Sequence, residues 1–110
     1  MKAYLIDELS EQDMANLRTR LKEIALSSSL EDIFWIKIPQ DLLSDVQSKH
    51  KDCQPHVFAV ELGDGWLKVE FFVRTLNHMR CDCPAYCTRQ QRDFVIRFTD
   101  GILTELGAAT

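Results

Sequence analysis

The clearest pattern in the chain is a pair of alternating apolar and polar runs, residues 56–62 and 66–75, which are separated by Gly63-Asp64-Gly65. Alternation with a period of two is typical of strands that bury one face, and an Asp-Gly pair between two such runs favours a two-residue type I′ turn. The register that this turn imposes brings apolar residues together on one face: Leu62 with Leu67, Val60 with Val69 and Phe58 with Phe71. It also sets Glu61 opposite Lys68 on the other face, so the sequence predicts an antiparallel hairpin in this register.

Two other segments have apolar residues at helical spacing, and each starts with a capping signal. Ser10 is a good N-cap ahead of acidic residues, and Thr88 with Gln91 has the spacing of a capping box. Gly107 suits the position just past the end of the second helix. The apolar stripes are Met14, Leu17, Leu21, Ile24 and Ala25 in the first segment and Phe94, Val95, Phe98, Ile102 and Leu106 in the second. These segments predict two long amphipathic helices.

Shorter runs complete the order of elements. Residues 3–6 are apolar and residues 33–38 are mainly β-branched and aromatic, so both runs predict strands. Residues 79–83 predict a further short strand. Asp41 is expected to cap a short helix that reaches about residue 49. The residues expected to point inward are Phe34, Ile36 and Ile38 in the second strand and Leu42, Leu43 and Val46 in the short helix.

This order of elements predicts an α+β fold. The predicted order is strand, helix, strand, short helix, a hairpin or three-strand meander, and a final helix. This order fits two layers, with a mostly antiparallel sheet and both long helices on one face. A parallel crossover of the first strand–helix–strand unit, in a mixed sheet, is the alternative. No repeat or linker interrupts the chain, so residues 1–110 are expected to form a single domain.

Composition places the chain among ordinary globular domains. It has 110 residues, of which 45% are hydrophobic and 27% charged, and its net charge is −4. This acidic balance lacks the basic footprint with which proteins bind nucleic acid or anionic membranes, so neither is expected as a partner. The apolar run near the N-terminus is too short for a signal peptide, and no run approaches the length of a membrane span. The expected compartment is therefore the cytoplasm, where thiols stay reduced.

Four cysteines provide the candidate chemistry. Cys81, Cys83 and Cys87 fall within seven residues, and the extended hairpin register brings Cys53 near Cys81. Because zinc takes four thiolate or imidazole ligands, these four residues are the candidate metal site. The histidines that can substitute for one of them are His78, His56 and His50.

The spacing of these cysteines differs from that of the strong zinc signatures. Those contain C-x2-C pairs, whereas Cys81, Cys83 and Cys87 form a C-x-C-x3-C run. We therefore predict that the four cysteines do not form a complete four-thiolate site and that no cofactor is required. The other interpretations are buried core cysteines, a thiol switch favoured by the helix that begins near Cys87 and, last, a structural disulfide.

The sequence contains no familiar catalytic motif, so the chain is expected to act by binding rather than by catalysis. Trp35, Trp66 and Phe72 are predicted on the outer face of the sheet, and aromatic residues are enriched where proteins meet. The sequence thus predicts a small cytoplasmic interaction domain that forms a homodimer through these side chains or binds another protein. The alternative is a zinc-binding or thiol-responsive protein that uses the cysteines.

Overall fold

The computed structural model describes residues 2–26, 30–76 and 81–108 of the chain. Three α-helices occur in this part: α1 (Glu11–Ile24), α2 (Asp45–Lys49) and α3 (Arg89–Glu105). Its strands are β1 (Ala3–Ile6), β2 (Ile33–Lys37), β3 (His56–Leu62), β4 (Leu67–Glu70), β5 (Phe72–Thr75) and β6 (Ala85–Tyr86). One 3-10 helix precedes α2, at Gln40–Leu42, and another follows it, at Lys51–Cys53. The fold is α+β, as the order of elements predicted.

The described strands form an antiparallel sheet with β3 at its centre. On one side β3 pairs with β2, from Ile33 opposite Glu61 to Lys37 opposite Val57. On the other side it pairs first with β4 and then with β5, and beyond these strands lie β1 against β4 and β6 against β5. The parallel crossover is therefore excluded, because β1 and β2 lie on opposite sides of β3.

The hairpin of β3 and β4 has the predicted register at its tip. The paired residues are Val60 with Val69, Glu61 with Lys68 and Leu62 with Leu67. The turn itself is not type I′, because that turn needs a positive φ at both central residues and only Gly65 has one, at 78°. The Leu9 N–H donates to the Gly65 carbonyl at 2.9 Å, so the segment before α1 packs against the tip.

The predicted pairing of Phe58 with Phe71 is not formed, although both side chains lie in the core. Beyond the tip, the partner strand contains two additional residues before pairing resumes at Val57. The backbone of Phe71 is engaged elsewhere, since its N–H donates to the Lys2 carbonyl and its carbonyl accepts from the Cys87 N–H, both at 2.9 Å. Because the number of additional residues is even, the alternation is kept and β4 and β5 bury the same face.

Both long helices pack on the inner face of the sheet, as predicted. Phe58, fully buried on β3, meets Phe94 and Phe98 of α3 edge-on, with ring centroids 6.3 and 5.7 Å away. Leu17 and Leu21 of α1 are fully buried in the same cluster. Burying an apolar side chain of this size contributes about 1.5–3 kcal/mol. This core therefore fixes the helices on the sheet.

The long helices begin at the predicted caps. The Ser10 hydroxyl accepts from the Asp13 N–H at the start of α1, and the Thr88 hydroxyl accepts from the Gln91 N–H at the start of α3. Gly107, just past the end of α3, has a φ of 71°, which favours glycine. The serine run at residues 27–29, predicted to end α1, lies outside the described residues.

The predicted start of the short helix was wrong. Helix α2 begins after Ser44 rather than after Asp41, because Ser44 and Gln47 form a reciprocal capping box. Val46, expected to point inward, is 45% exposed, whereas Gln47 is buried. The polar face of this short helix is therefore the face that packs inward.

The prediction of a last strand at residues 79–83 was also incorrect for the described residues of that range, 81–83. Residues 77–80 lie outside the described part, and residues 81–83 are not in a strand. The strand that pairs with β5 on the side away from β3 is β6, where Phe72 lies opposite Tyr86. The segment that contains Cys81 and Cys83 therefore leads directly into the sheet.

Candidate metal and thiol site

The first half of the site is the chain between α2 and β3. His50 is the residue after α2, and the 3-10 helix that follows ends at Cys53, whose N–H donates to the His50 carbonyl at 3.0 Å. Residues three apart in a 3-10 helix lie on the same side of it. The imidazole is half-buried and the Cys53 side chain is buried, at the same end of the sheet.

The second half is the segment that leads into β6. Cys81 is half-buried, and Cys83, two residues before β6, is buried. The chain entering β3 and the chain leaving β5 lie side by side, because His56 pairs with Thr75. The two halves therefore meet at this end of the sheet, although 28 residues separate Cys53 from Cys81.

Donor atoms from both halves converge here. One ring nitrogen of His50 and the sulfurs of Cys81 and Cys83 all lie within 4.8 Å of one another. Cys53 is joined to Cys81 by a disulfide, which adds a third sulfur to the group. A structural disulfide was the least expected explanation of the cysteines, and for this pair the structure corrects that ranking. The site thus gathers three sulfurs and one imidazole.

The orientation of the His50 ring is set by its own helix. Its Nδ1 lies 2.7 Å from the Val46 carbonyl oxygen, which can only accept, so the ring donates from Nδ1. In the neutral imidazole the lone pair is then on Nε2. Metal-bound histidines usually donate their other N–H to a carbonyl or carboxylate in this way.

Two buried glutamines tie the halves of the site together. Gln47 Nε2 donates to the Cys83 carbonyl at 3.0 Å, and Gln47 Oε1 accepts from Gln91 Nε2 at 2.8 Å. Gln91 Nε2 also donates to the Leu42 carbonyl at 2.9 Å. Leaving a buried polar group without its partner costs about 1–3 kcal/mol. This network therefore holds α2, α3 and the Cys83 backbone in one arrangement.

The same glutamines complete the two capping boxes. Gln47 Oε1 accepts from the Ser44 N–H at 3.0 Å, and Gln91 Oε1 accepts from the Thr88 N–H at 2.9 Å. The cap at Gln91 was predicted and the cap at Gln47 was not, although Ser44 and Gln47 have the same three-residue spacing. Neither side chain was expected in the core, because glutamine is usually exposed.

Burial controls the titration of the groups around the site. It raises the pKa of Cys83, and the negative charges of Asp82 and Asp52 raise this pKa further. Burial also lowers the pKa of His56, and nearby His50 adds to this effect. The His56 Nε2 atom is buried and has no hydrogen-bond partner among the described residues. Both Cys83 and His56 are therefore neutral near pH 7.

One predicted ligand, Cys87, lies apart from the converging donors. It packs half-buried against the core, and its N–H donates to the Phe71 carbonyl. Burial raises the pKa of Cys87 to about 11, although the charge of Arg92 opposes the shift. A second predicted ligand, His78, lies outside the described residues. The residues that the structure does bring together are Cys53, Cys81 and Cys83, with His50 as the fourth.

Trp35 on β2 and Phe72 on β5 alternate along their strands with core residues, so they lie on the sheet face opposite α1 and α3. Trp66, the third residue predicted for an interface, immediately precedes β4. Trp35 lines a shallow depression of about 260 Å³ on the outer face. The ring of Trp66 folds over Gly63, where it leaves no room for a side chain. The guanidinium carbon of Arg74 lies 5.1 Å from the centroid of the Phe72 ring. All three aromatic residues are half-buried.

No family model matches the chain, and no curated protein or solved structure is significantly similar to it. None of the described helices is long and apolar enough to cross a bilayer. The protein is therefore described by its own fold and site: an α+β structure with a cluster of cysteines and a histidine at one end of its sheet.

Proposed function

We propose that this protein binds one zinc ion through His50, Cys53, Cys81 and Cys83. The main support is the convergence of donor atoms from His50, Cys81 and Cys83 within 4.8 Å, with the Cys53 sulfur bonded to one of them. A tetrahedral zinc ion with ligands at about 2.0–2.3 Å holds its donor atoms about 3.3–3.8 Å apart. The donors of His50, Cys81 and Cys83 therefore need to shift by only about 1 Å to reach this spacing. The Cys53–Cys81 bond must be reduced first, so that its two sulfurs can separate and bind the ion as thiolates.

The chemistry of the donors favours zinc over harder cations. Thiolate and imidazole ligands suit Zn²⁺, whereas Mg²⁺ and Ca²⁺ need oxygen ligands. The Cα atoms of Cys53 and Cys81 are 7.1 Å apart, just beyond the usual disulfide range of about 4.4–6.8 Å. An ion between the two sulfurs spans a wider separation than a direct bond, so this backbone spacing also suits a metal-bound form once the disulfide is reduced.

The role of the ion is structural in this proposal, because four protein ligands leave no open position for a substrate. Two ligand segments already have supporting contacts, from the Val46 carbonyl to the His50 ring and from the Gln47 amide to the Cys83 backbone. Zinc binding requires reduced thiols, so the cytoplasm is the compartment that we propose.

The metal content of the chain after anaerobic purification tests the proposal. We expect about one zinc ion per chain, and visible absorption typical of tetrahedral thiolate ligation when Co²⁺ replaces Zn²⁺. Cys83→Ala should lose the ion, whereas the matched control Cys87→Ala should keep it, because Cys87 packs against the core. Removal of the ion by a chelator should lower the free energy of unfolding by several kcal/mol. A reduced chain that binds no zinc, or equal loss in both variants, would contradict the proposal.

A second candidate function, self-association, is favoured by the charge pattern of the outer sheet face. Glu61 pairs with Lys68 at 3.5 Å, and Glu70 pairs with Arg74 at 3.1 Å. Because acids and bases are equal in number in these pairs, a second copy turned by a two-fold axis can meet the same face with opposite charges. Leu5, 56% exposed, lies opposite Lys68 on this face and adds apolar surface.

We therefore also propose a homodimer in which Trp35, Trp66 or Phe72 lies in the contact. Sedimentation of the wild-type chain at tens of micromolar should give a dimer. Trp35→Glu should shift the chain to the monomer, because an unpaired charge buried in an interface is strongly unfavourable. Val46→Ser, which removes an exposed apolar side chain from α2, should leave the dimer intact. A monomeric wild-type chain would remove this candidate.

A further inference from the structure

We infer that the zinc site is also a redox switch, in which a peroxide joins Cys53 to Cys81 and the ion is expelled. This inference rests on the proposed zinc site. The structure already contains the product of such a reaction, because Cys53 and Cys81 are linked while the donors of His50 and Cys83 remain beside them. The same two sulfurs cannot serve as zinc thiolates and form a disulfide together. The metal-bound and oxidised states therefore exclude each other.

Exposure decides which sulfur meets the oxidant first. Cys53 and Cys83 are only 5% and 1% exposed, whereas Cys81 is half-buried and open to small molecules. The partner of Cys81 is then Cys53, as the structure has it. Cys83 is a poor alternative, because a bridge between cysteines separated by a single residue is strained.

The reaction consumes one peroxide and transfers two electrons. The Cys81 thiolate attacks a peroxide oxygen, the O–O bond breaks, and a sulfenic acid and one hydroxide ion form. The Cys53 thiolate then attacks the Cys81 sulfur, the S–S bond forms, the S–O bond breaks, and a second hydroxide ion leaves. The two sulfurs are oxidised and the peroxide is reduced, while zinc keeps its charge throughout.

Loss of the ion follows from the number of ligands that remain. A disulfide sulfur is no longer a thiolate, and the thiolate is the form that binds metal. Only His50 and Cys83 are left, two ligands where a closed zinc site needs four. A dithiol reductant returns the two electrons, regenerates both thiols and allows the ion to bind again.

The test begins with the full chain, reduced and loaded with zinc in the absence of oxygen. Hydrogen peroxide is then added in steps while a colorimetric chelator reports free zinc and a thiol reagent counts the remaining thiols. We expect one zinc released for each disulfide formed, a fall from four titratable thiols to two, and a Cys53–Cys81 bond in the peptide map. Excess dithiol should restore the thiol count and zinc binding.

Two variants separate the outcomes. Cys87→Ser should release zinc as the wild type does, because Cys87 lies outside the cluster. Cys53→Ser cannot form this disulfide, so the zinc that the variant has bound should stay bound after one equivalent of peroxide is added. If the variant does not fold, the peptide map of the oxidised wild-type chain tests the inference without it. If the oxidised wild-type chain retains its zinc, or if the disulfide forms between another pair of cysteines, the redox switch is overturned while the proposed zinc site still stands. A reduced chain that binds no zinc at all would contradict both the inference and the proposed function.

Discussion

Two regions of the sheet are held together in different ways: the tip of the β3–β4 hairpin, and the cysteine end, which consists of residues 50–53 and 81–83. At the tip, the pairs Val60–Val69 and Leu62–Leu67 bury apolar side chains, and a slip by one residue would expose all of them. At the cysteine end, the Gln47 amide of α2 bonds to the Cys83 carbonyl, and the sulfurs of Cys53 and Cys81 are joined to each other. The tip is therefore stabilised by repeated apolar contacts, whereas the cysteine end is stabilised by individual polar and sulfur contacts.

This difference should be visible in how each region responds to the state of the sulfurs. Core contacts near the hairpin are apolar and do not involve the proposed zinc ligands. Their contribution to stability should therefore be the same in the reduced, zinc-loaded and oxidised chains. Contacts at the cysteine end position the ligands, so their loss should change metal affinity as well as stability.

The largest effect is expected from Phe58→Ala in the core beneath the hairpin. Phe58 is fully buried against two rings of α3, so its truncation should lower the free energy of unfolding by about 3–5 kcal/mol. Urea unfolding of the reduced, zinc-loaded and oxidised chains should give the same loss within about 0.5 kcal/mol. A loss that differs strongly among the three forms would mean that the two regions are coupled.

A smaller but more specific effect is expected from Gln47→Ala. This change leaves the Cys83 carbonyl without its amide partner and removes one of the two acceptors of Gln91 Nε2, so it should cost about 2–3 kcal/mol. It should also weaken zinc binding by about 10–100-fold, as measured by competition with a chelator. Gln12→Ala, at an exposed position on α1, is the matched control and should change neither quantity appreciably. Unchanged zinc affinity in the Gln47 variant would leave the amide with a purely structural role.

Cys87 should make stability depend on alkaline pH. Burial raises its pKa from an ordinary value of 9.0 to about 11, so the folded chain holds this proton more tightly than the unfolded chain. The resulting stabilisation is complete below about pH 9 and is lost as the pH rises through about 11. Because the side chain is partly exposed, we expect a loss on the order of 1 kcal/mol. Urea unfolding at several alkaline pH values should show that the free energy of unfolding falls more steeply with pH in the wild type than in Cys87→Ala. An equal fall in both chains would show that the buried Cys87 thiol is not the cause.

The smallest effect is expected from Glu61→Ala on the outer face of the hairpin. The carboxylate lies 3.5 Å from Lys68, and both side chains are about two-fifths exposed, at 41% and 42%. An exposed ion pair contributes little because water and salt screen it, so the change should cost less than about 1 kcal/mol. A double-mutant cycle with Lys68→Ala measures the pair directly. A coupling energy above about 1 kcal/mol would show that the hairpin register depends on this charge pair.

The regular part of the fold was predictable because its signals repeat. Val60, Leu62, Leu67 and Val69 alternate with polar residues, so their pairing could be deduced before the structure was known. The break at Phe71 could not, because neither glycine nor proline marks the two additional residues. The break depends on the backbone bonds that Phe71, between β4 and β5, makes with the distant residues Lys2 and Cys87.

The cysteine end was predictable only in part. Cys53, Cys81 and Cys83 were named because cysteines are rare and clustered, and His50 appeared only as one of several substitutes. Its place in the cluster depends on a short turn after α2, and no periodic pattern fixes the geometry of such a turn. Gln47 was missed because a polar residue in a short helix indicates an exposed surface, and only the tertiary contact with Gln91 explains its burial.

The link between Cys53 and Cys81 also acts on the chain when it is not folded. The two cysteines, 28 residues apart, enclose a loop that contains β3, β4 and β5. Closing a loop of about this length removes conformational entropy worth about 3.5 kcal/mol from the unfolded ensemble at 25 °C, in the chain-entropy description. A metal ion held by both sulfurs acts differently, because its site exists only in the folded chain and the ion is released when the chain unfolds. The disulfide thus stabilises the domain by restricting the disordered chain, whereas the ion stabilises it by binding the ordered one.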